Sequence, residues 1–306
     1  FIDGREGTTG LQIYERLAKR GDINLITIPE ELRKDVSARK ERLNAADICF
    51  LCLPDAAARE SVSLIENPSV RVIDASTAHR TADGWVYGLP ELSAERREAV
   101  ARSPRVANPG CHATGFITLV APLVKGGILG AGYPLTAHSV TGYSGGGKKM
   151  IAEYEAEGRS VLLSSPRQYS LSLSHKHLPE MVKECALSHA PIFNPIVGDF
   201  YCGMCVTVPL YKSLLLKKMG VDDIRNYFAE YYASQNFVKV AKKEEIPAYL
   251  PANELAGTNL LKIYVSGNDD MILMCSVFDN LGKGASGAAV QNMNIMLGLD
   301  ETFSLV

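Results

Sequence analysis

The sequence predicts two domains, a doubly wound parallel α/β sheet followed by an α+β domain built on a mostly antiparallel sheet. The length of 306 residues suits two domains better than one. Through about the first 110 residues, short apolar runs alternate with helix-like segments, which is the pattern of parallel strands joined by helices. Later strand-like runs are longer and have a single helix between them. That change of pattern favours an antiparallel arrangement in the second domain.

The first domain opens with a strand from residue 1, a glycine-rich loop, and a helix whose apolar face carries Leu11, Tyr14 and Leu17. A near-continuous apolar run at Ile48–Leu53 is typical of a central parallel strand. We expect the remaining strands at Ile23–Ile28, Val70–Asp74 and Arg105–Ala107, and the remaining helices at Glu30–Ala46, Ala56–Ile65 and after Tyr87.

The second domain begins with an apolar helix from about residue 113. We expect its strands at Pro134–Thr141, Tyr201–Pro209, Leu260–Ser266 and Met271–Phe278, and helices at Lys149–Gly158 and Val221–Ala233. A glycine-rich loop then leads into an amphipathic helix at Ala288–Leu297. The predicted division places residues 1–110 with 284–306 in one domain and residues 111–283 in the other.

Composition excludes several classes of protein. The net charge of −2 gives no electrostatic basis for binding nucleic acid or an anionic membrane. No apolar run approaches the roughly 20 residues of a membrane span, and we expect no secretory leader. Seven cysteines, an odd number mostly within apolar runs, favour a reduced cytoplasmic protein over a disulfide scaffold. The pairs Cys49/Cys52 and Cys202/Cys205 lie in strand-like runs, where residues three apart face opposite sides and do not form a zinc knuckle.

Cys111 is the candidate nucleophile. It follows the turn-forming pair Pro109-Gly110 and precedes the apolar helix. A thiol at a helix N-terminus faces unpaired backbone N–H groups and the positive end of the helix dipole, and both stabilise the reactive thiolate. The alternative is a buried structural cysteine.

A nucleotide-binding loop is predicted between the first strand and the first helix. The spacing there is G-x-x-G-x-x-G, where glycines let the backbone approach a pyrophosphate and the helix N-terminus binds it. The alternative is a plain tight turn. Acidic side chains at Glu30 or Glu31 suit a ribose hydroxyl, and Arg33 with Lys34 suit a 2′-phosphate, although all four also fit a solvated helix face. The residues assigned to the cofactor in this loop are Gly4, Gly7, Thr8, Thr9 and Gly10.

Loops at the carboxyl ends of parallel strands line the ligand crevice of such sheets. Ser76 and Thr77 follow the strand that ends at Asp74, and we assign them to the cofactor. Arg80 in the same loop is assigned to an anionic group of the substrate, with a surface ion pair as the alternative. Asn280 and Gly282, in the loop before the last helix, are also assigned to the cofactor, with a helix cap as the alternative.

The segment Gly142–Lys149 nearly matches the phosphate loop G-x-x-x-x-G-K-[ST]. Lys149 stands where that loop needs a magnesium-binding hydroxyl, so we exclude an NTPase. A glycine-rich backbone still suits a phosphoryl group. Ser144, Gly145 and Lys148 are therefore predicted to bind the phosphoryl end of the substrate.

Two of the six histidines, His175 and His177, lie next to Pro179-Glu180. On an extended stretch, residues two apart share a face, so the pair predicts a site. One of them is the candidate acid/base beside Cys111. A two-histidine metal site is the alternative, but the sequence offers no third ligand.

Seven segments, in order along the chain, resemble the N-acetyl-gamma-glutamyl-phosphate reductase family in its shorter form, called type 2. The resemblance runs from end to end. The segments are Asp3–Ile13, Asp74–Thr81, Tyr87–Leu92, Asn108–Gly115, Gly142–Lys149, His175–Met181 and Asp279–Asn292.

This resemblance implies a Rossmann-like dinucleotide-binding domain plus a catalytic and dimerisation domain of the semialdehyde dehydrogenase type. It implies a cytoplasmic homo-oligomer, dimer or tetramer, that uses NADP(H) to reduce an acyl phosphate in arginine biosynthesis. Cys111 would be the nucleophile, His175 the acid/base, and His177 a substrate-site residue. Longer members usually carry arginine and threonine where Lys176 and Leu178 stand, so either histidine remains a candidate for proton transfer.

The acyl phosphate is already activated, so no metal is expected. Three alternatives stay open. Aspartate-semialdehyde dehydrogenase shares the chemistry, but its cysteine block typically reads N-x-N-C rather than Asn108-Pro109-Gly110-Cys111. A lysine-pathway acylphosphate reductase is closer. A dinucleotide-binding redox regulator without catalysis would not need the block around His175 or the glycine-rich segment Gly145–Lys148.

Overall fold

The computed structural model describes residues 1–305, and the chain divides into two compact units. One comprises Phe1–Gly110 and Ala285–Val306, and the other comprises Cys111–Gly284. No helix within residues 1–305 is both long enough and apolar enough to span a membrane.

The first unit contains a five-stranded sheet whose pairings are all parallel. The doubly wound fold is therefore confirmed. In spatial order its strands are β1 (Ile2–Asp3), β2 (Ile48–Leu51), β3 (Arg71–Asp74), β5 (Arg105–Ala107) and β4 (Val86–Tyr87). The helices are α1 (Thr8–Leu17), α2 (Val36–Ala45), α3 (Asp55–Ser63), α4 (Ala94–Arg102) and α9 (Gly287–Met296), with single 3₁₀ turns at Glu30–Leu32 and Pro90–Leu92.

Two expectations for this unit are wrong. Residues 23–28 form no strand. The partly buried side chains of Ile26 and Ile28 pack against the core formed around β2 and β3, without backbone pairing. Helix α9 is not amphipathic, because all ten of its residues are buried. Its polar side chains bond inside the unit instead, as where Asn292 Nδ2 donates to Gly88 O (2.9 Å) and Asn108 Oδ1 (3.1 Å).

The second unit is built on a seven-stranded sheet in which four of the six pairings are antiparallel. The predicted α+β architecture is confirmed. In spatial order the strands are β10 (Val238–Val240), β11 (Leu261–Gly267), β12 (Met271–Phe278), β9 (Met204–Tyr211), β6 (Thr136–Gly142), β8 (Ile192–Gly198) and β7 (Arg167–Gln168). The helices are α5 (Cys111–Lys125), α6 (Gly147–Glu155), α7 (Leu178–Glu184) and α8 (Val221–Tyr231).

Helix α5 packs directly on one face of this sheet. A Cβ added at Gly115 would lie 2.6 Å from Val206, 2.7 Å from the Ser276 hydroxyl and 2.8 Å from Phe278. Because glycine has no side chain, the helix backbone can approach β9 and β12 this closely. The contact lies one turn after Cys111, so it fixes the position of the helix N-terminus over the sheet.

Candidate active site

Cys111 is the first residue of α5, as the sequence predicts, and its side chain is half-buried. A helix N-terminus carries a partial positive charge, since its first backbone N–H groups have no partners within the helix. The backbone of Gly284 packs against the cysteine, because a Cβ added there would lie 2.9 Å from the Cys111 Cβ. The arrangement suits a thiolate nucleophile.

His175 and His177 lie on a turn rather than on the extended stretch expected from the sequence. His177 has a helical backbone conformation and is the N-cap residue of α7. The turn still brings the rings together, with centroids 4.7 Å apart. Nδ1 of His175 accepts a hydrogen bond from the backbone N–H of His177 at 3.2 Å. While that bond is kept, the neutral ring of His175 carries its proton on Nε2.

A third histidine, His112, belongs to the same cluster and is not among the site residues predicted from the sequence. Its ring centroid lies 5.3 Å from that of His175, 5.5 Å from that of His177 and 5.3 Å from that of Phe193. A histidine directly after the candidate nucleophile, on an otherwise apolar helix, is the signal that could have drawn attention to it. Three histidines from two separate segments therefore surround the start of α5.

Both ring nitrogens of His112 are hydrogen-bonded. Nδ1 lies 2.6 Å from the Ser139 hydroxyl, and Nε2 lies 2.7 Å from the Tyr169 hydroxyl. Burial, reinforced by the charge of His175, lowers the pKa of His112 to about 3. His112 is therefore neutral at physiological pH.

Tyr169 follows β7 and was also absent from the sequence-based site. Burial raises the pKa of its phenol, and the negative charge of Cys111 raises it further. Tyr169 thus stays protonated, and its hydroxyl lies 2.7 Å from His112 Nε2.

The loop before α9 contacts both the glycine-rich segment Gly142–Lys149 and Cys111. Asn280 Nδ2 donates to the Ser144 hydroxyl at 3.0 Å, and Asn280 Oδ1 accepts from Gly203 N at 2.8 Å. Four residues after Asn280 comes Gly284, which contacts Cys111. Gly282, the other residue assigned to the cofactor here, begins a single π-helical turn, Gly282–Ser286.

Ser144 is only 1% exposed, whereas Gly145 and Lys148 are exposed. The buried hydroxyl is held by Asn280, so its role within the described structure is to fix the loop. The exposed glycine backbone and the Lys148 ammonium are the groups of this segment that an anion can reach.

The loop between β1 and α1 has the features of an anion-binding turn. Gly4 has φ +84°, and a Cβ there would collide with the Cys52 carbonyl. A Cβ at Gly10 would lie 2.5 Å from the Gly4 carbonyl. The Thr8 hydroxyl, at the first position of α1, is buried and has no hydrogen-bond partner within residues 1–305. These residues fit the phosphates of a dinucleotide.

The side chains of Ser76 and Thr77 make hydrogen bonds within the first unit. The Ser76 hydroxyl donates to the Asp74 carboxylate at 2.8 Å, and the same carboxylate lies 2.6 Å from His79 Nδ1. The Thr77 hydroxyl donates to the Asp55 carboxylate at 2.5 Å. The backbone N–H groups of the two residues donate to the same carboxylates, Ser76 to Asp74 at 2.8 Å and Thr77 to Asp55 at 3.0 Å, so these bonds fix the loop after β3.

Arg80 is buried rather than at the surface, with 9% of its area exposed. Its Nε donates to Asn108 O at 3.0 Å and its Nη2 to Ala75 O at 3.1 Å. The guanidinium therefore ties the loop after β3 to the segment that leads to Cys111. Arg33 and Glu30 form an exposed ion pair at 3.6 Å, in line with a solvated surface.

Within residues 1–305, no three His, Cys, Asp or Glu side chains are grouped so that they could hold a metal ion. The two nitrogens of His112 are already occupied by hydroxyl groups. His112 is thus held by hydrogen bonds at both of its ring nitrogens.

Comparison with known families covers most of the chain. Residues 24–100 match the NAD binding domain of semialdehyde dehydrogenase, and residues 111–280 match the dimerisation domain of semialdehyde dehydrogenase. The two matched regions fall in the first and second units respectively.

Curated relatives match along the full length. N-acetyl-gamma-glutamyl-phosphate reductase of Mesorhizobium japonicum is 50% identical over 306 residues, with 98% of each chain covered. N-acetyl-gamma-glutamyl-phosphate reductase 2 of Nostoc sp. is 46% identical over 316 residues, covering 100% of this chain and 98% of the relative. The protein of the same name in Pseudomonas putida is 47% identical over 302 residues, covering 97% and 96%.

Solved structures of similar fold include aspartate semialdehyde dehydrogenase from Francisella tularensis, with a TM-score of 0.71, 16% identity, and 97% and 98% of the two chains covered. Aspartate semialdehyde dehydrogenase II from Vibrio cholerae has a TM-score of 0.70 with 15% identity, covering 97% of each chain. At such identity the likeness is one of fold.

Proposed function

The chain belongs to the N-acetyl-gamma-glutamyl-phosphate reductase family, and we propose that it reduces N-acetyl-L-glutamyl 5-phosphate to N-acetyl-L-glutamate 5-semialdehyde and phosphate with NADPH, in arginine biosynthesis. The observation that carries this proposal is Cys111 at the start of α5 beside His112, His175 and His177. A thiol at a helix N-terminus beside imidazole groups is suited to acyl transfer.

A nicotinamide dinucleotide fits the first unit. Support comes from the glycine positions and the buried Thr8 hydroxyl at the start of α1. When bound, the cofactor supplies the hydride. For NADPH over NADH, the sequence offers Arg33 and Lys34 as groups that could meet a 2′-phosphate. A comparison of kcat/KM for the two cofactors in the wild type and in an Arg33→Ala, Lys34→Ala double variant tests that preference.

Acylation is the first chemical step. The Cys111 thiolate attacks the acyl phosphate carbonyl, forms a C–S bond and expels phosphate, which leaves a thioester. The backbone N–H groups at the start of α5 stabilise the oxyanion of the tetrahedral intermediate. Released phosphate is received by the exposed glycine backbone of Gly145 and by Lys148.

Reduction of the thioester leaves a hemithioacetal on Cys111, and its collapse returns the thiolate and releases the aldehyde. We assign proton handling at the substrate oxygen to His175, with His177 as a substrate-site residue. Nε2 of His175 carries the proton in the neutral ring and can donate it, because Nδ1 accepts from His177 N–H. His112 is unsuited to this role, since both its nitrogens are already bonded.

A direct comparison of two variants tests which histidine is the acid/base. His175→Asn and His177→Asn are each assayed for kcat across pH. We expect the loss of one titration in the pH–rate profile only in His175→Asn, with His177→Asn raising KM. Loss of that titration only in His177→Asn would transfer the role to His177.

For the substrate, Arg80 is our candidate for the α-carboxylate, because a planar guanidinium suits an anionic group. Arg80→Lys keeps the charge but loses the planar fork. We expect it to raise KM for the substrate far more than KM for the cofactor.

We further propose that the protein is a homodimer or a homotetramer in the cytoplasm. The sheet of the second unit has α5 on one face, whereas the opposite face carries exposed apolar side chains, namely Ile192, Tyr211, Met271 and Leu273. A second copy packing there would cover them. All seven cysteines are free thiols, which suits a reducing compartment. Sedimentation of Met271→Asp, Leu273→Asp against the wild type tests the interface.

The substrate is tested by the reverse reaction. NADP and phosphate are supplied with either N-acetylglutamate semialdehyde or aspartate semialdehyde, and NADPH absorbance is followed. We expect a rate only with the acetylated substrate. A faster rate with aspartate semialdehyde would replace the proposed substrate, and no rate with either would favour the non-catalytic regulator.

A further inference from the structure

The segment Asp279–Gly284, which we call the 279–284 turn, connects the end of β12 to the surroundings of Cys111. All six of its residues are buried, including the polar residues Asp279, Asn280 and Lys283. Burying a polar side chain is costly unless it is bonded. The contacts of these side chains therefore indicate what the turn does, and the mechanism above gives Asp279 no role.

The Asp279 carboxylate closes the turn on itself and ties it to a neighbouring loop. Oδ1 accepts a hydrogen bond from Leu281 N–H, two residues further on, at 2.7 Å, which forms an Asx turn. Oδ2 accepts from Gly257 N–H at 2.5 Å. Each carboxylate oxygen thus holds a backbone donor of the second unit.

The last residue of the turn lies against the nucleophile. Gly284 N–H donates to the backbone carbonyl of Asp279 at 2.9 Å. A Cβ added at Gly284 would lie 2.9 Å from the Cys111 Cβ, 3.2 Å from the Asp279 carbonyl oxygen and 3.3 Å from Phe278. Any larger side chain would displace these neighbours, so the backbone of Gly284 itself packs against the cysteine.

Two further contacts restrict the turn between its ends. A Cβ added at Gly282 would collide with the Thr258 carbonyl, so the turn lies directly on the loop that contains Thr258. Lys283 is 0% exposed, and its Nζ lies 5.9 Å from the centre of the Phe237 ring. The position of Gly284 is therefore determined by the contacts of the turn and not by a freely moving loop.

We propose that Asp279 is a positioning residue for the nucleophile, because it holds the 279–284 turn with the Gly284 backbone against Cys111. The Sγ atom of a cysteine has three staggered positions about the Cα–Cβ bond. A backbone packed against Cβ excludes the positions on its own side, so the turn restricts the direction of the thiol. Attack on a carbonyl needs that alignment, and only this catalytic use of the thiol rests on the proposed function.

Alkylation of Cys111 by iodoacetamide tests the proposal without substrate or cofactor. The rate is measured across pH by site-resolved mass spectrometry. Its plateau at high pH reports access to the thiol, and its midpoint reports the thiol pKa. Asp279→Ala removes both carboxylate bonds. We expect the plateau rate to rise about fivefold, the effect of one net hydrogen bond on closure of the turn, with the midpoint unchanged.

Two other variants make the test specific to the turn. In Gly284→Ala the new methyl would lie 2.9 Å from the Cys111 Cβ, so it should cover the thiol and lower the plateau rate. Asp279→Asn is the conservative rescue, because its amide oxygen can still accept from Leu281 N–H. We expect Asp279→Asn to restore the wild-type plateau. A lower midpoint in Asp279→Asn would mean that the carboxylate acts on the thiol through its charge, which would overturn the positioning role.

Asp223→Ala is the matched control. The Asp223 carboxylate accepts from the backbone N–H of Gly220 at 2.8 Å, but it is exposed at the start of α8. Its loss should leave the plateau and the midpoint of Cys111 unchanged. Cys185 is 2% exposed and reports unfolding in the same samples, so its labelling should stay at the wild-type level.

An unchanged Cys111 plateau in Asp279→Ala would overturn the proposal. A rise that Cys185 shares would also overturn it, because a general loosening of the protein would then expose the thiol. If Asp279→Ala does not fold, Gly284→Ala provides the test, and a wild-type plateau in that variant is the result that sinks the idea.

Failure of the positioning role and failure of the proposed function are distinguishable. In an active enzyme, Asp279→Ala should lower kcat roughly 10–100-fold with little change in KM for NADP, as expected for a misdirected nucleophile. Faster alkylation together with slower turnover indicates positioning, since a residue that only made the thiol reactive would lower both rates. If the protein oxidises neither semialdehyde, the alkylation rates still test the turn. Wild-type kcat in an active Asp279→Ala would contradict the positioning role alone.

Discussion

The hydroxyl of Tyr232 donates a hydrogen bond to the carbonyl of Thr118 at 2.8 Å. Thr118 precedes Pro122 by four residues within α5, and proline has no N–H to donate to that carbonyl. A residue after the end of α8 thus supplies the donor that the helix itself lacks. The consequence is a buried proline in the helix that carries Cys111, without an unsatisfied carbonyl.

Tyr232→Phe should therefore destabilise the protein, because the Thr118 carbonyl would be buried without a donor. We expect a loss of about 1–3 kcal/mol in the free energy of unfolding, measured by urea denaturation. Tyr249→Phe is the control, since Tyr249 is 91% exposed. Equal stability of the two variants would mean that water or a shift in the helix satisfies the carbonyl.

Gly115→Ala should weaken the seating of α5 on the sheet. The added methyl would lie within 2.6–2.8 Å of side-chain atoms of Val206, Ser276 and Phe278. Overpacking of this kind costs about 1–3 kcal/mol, and displacement of the helix start should lower kcat as well. Gly132→Ala, where nothing lies within 4 Å of the new methyl, should change neither quantity. Wild-type stability and activity in Gly115→Ala would contradict the packing argument.

Stability should depend on pH through His112. Burial lowers its pKa from 6.5 to about 3, so in acid the unfolded chain binds a proton there that the folded chain does not bind. The free energy of unfolding therefore falls as pH drops from about 6.5 toward 3, and His112 has no effect above that window. His112→Gln should reduce the slope by up to about 1.4 kcal/mol per pH unit. An unchanged slope in urea unfolding at several pH values would contradict the assignment.

Thiol reactivity should be selective for Cys111. Burial raises the pKa of Cys49 to about 11, of Cys52 to about 12 and of Cys202 to about 11, which suppresses their thiolates. With limiting iodoacetamide at roughly pH 8, we expect Cys111 to be alkylated first, since it is half-buried at a helix start, whereas Cys275, whose pKa is lowered by its hydrogen bond with Cys205, is only 8% exposed. Peptide mass spectrometry measures the order, and faster labelling of Cys202 would be the contrary result.

Sequence patterns over a few neighbouring residues correctly predicted helices and strands that depend on those residues alone. A Pro-Gly turn before an apolar run indicated the helix that starts at Cys111, and strand β12 has the predicted bounds Met271–Phe278. Residues 23–28 were predicted wrongly because a strand-like apolar pattern specifies only burial, which Ile26 and Ile28 achieve by packing.

The hydrogen bonds of the His112 ring were not predictable in this way. Its partners Ser139 and Tyr169 are 27 and 57 residues away along the chain. Only the folding of β6 and the segment after β7 against α5 brings them to the ring. The pairing of His175 with His177 was predicted from sequence proximity, but the turn that brings the rings together was not.

The central claim is that Cys111 carries the acyl group, and withholding phosphate tests it most directly. With NADP and N-acetylglutamate semialdehyde but no phosphate, oxidation should stop at the thioester, with about one NADPH formed per Cys111 in a burst. Peptide mass spectrometry should find the N-acetylglutamyl adduct on Cys111, and Cys111→Ser should bind NADP yet give neither burst nor adduct. An adduct on another residue, or a burst in Cys111→Ser, would contradict the account.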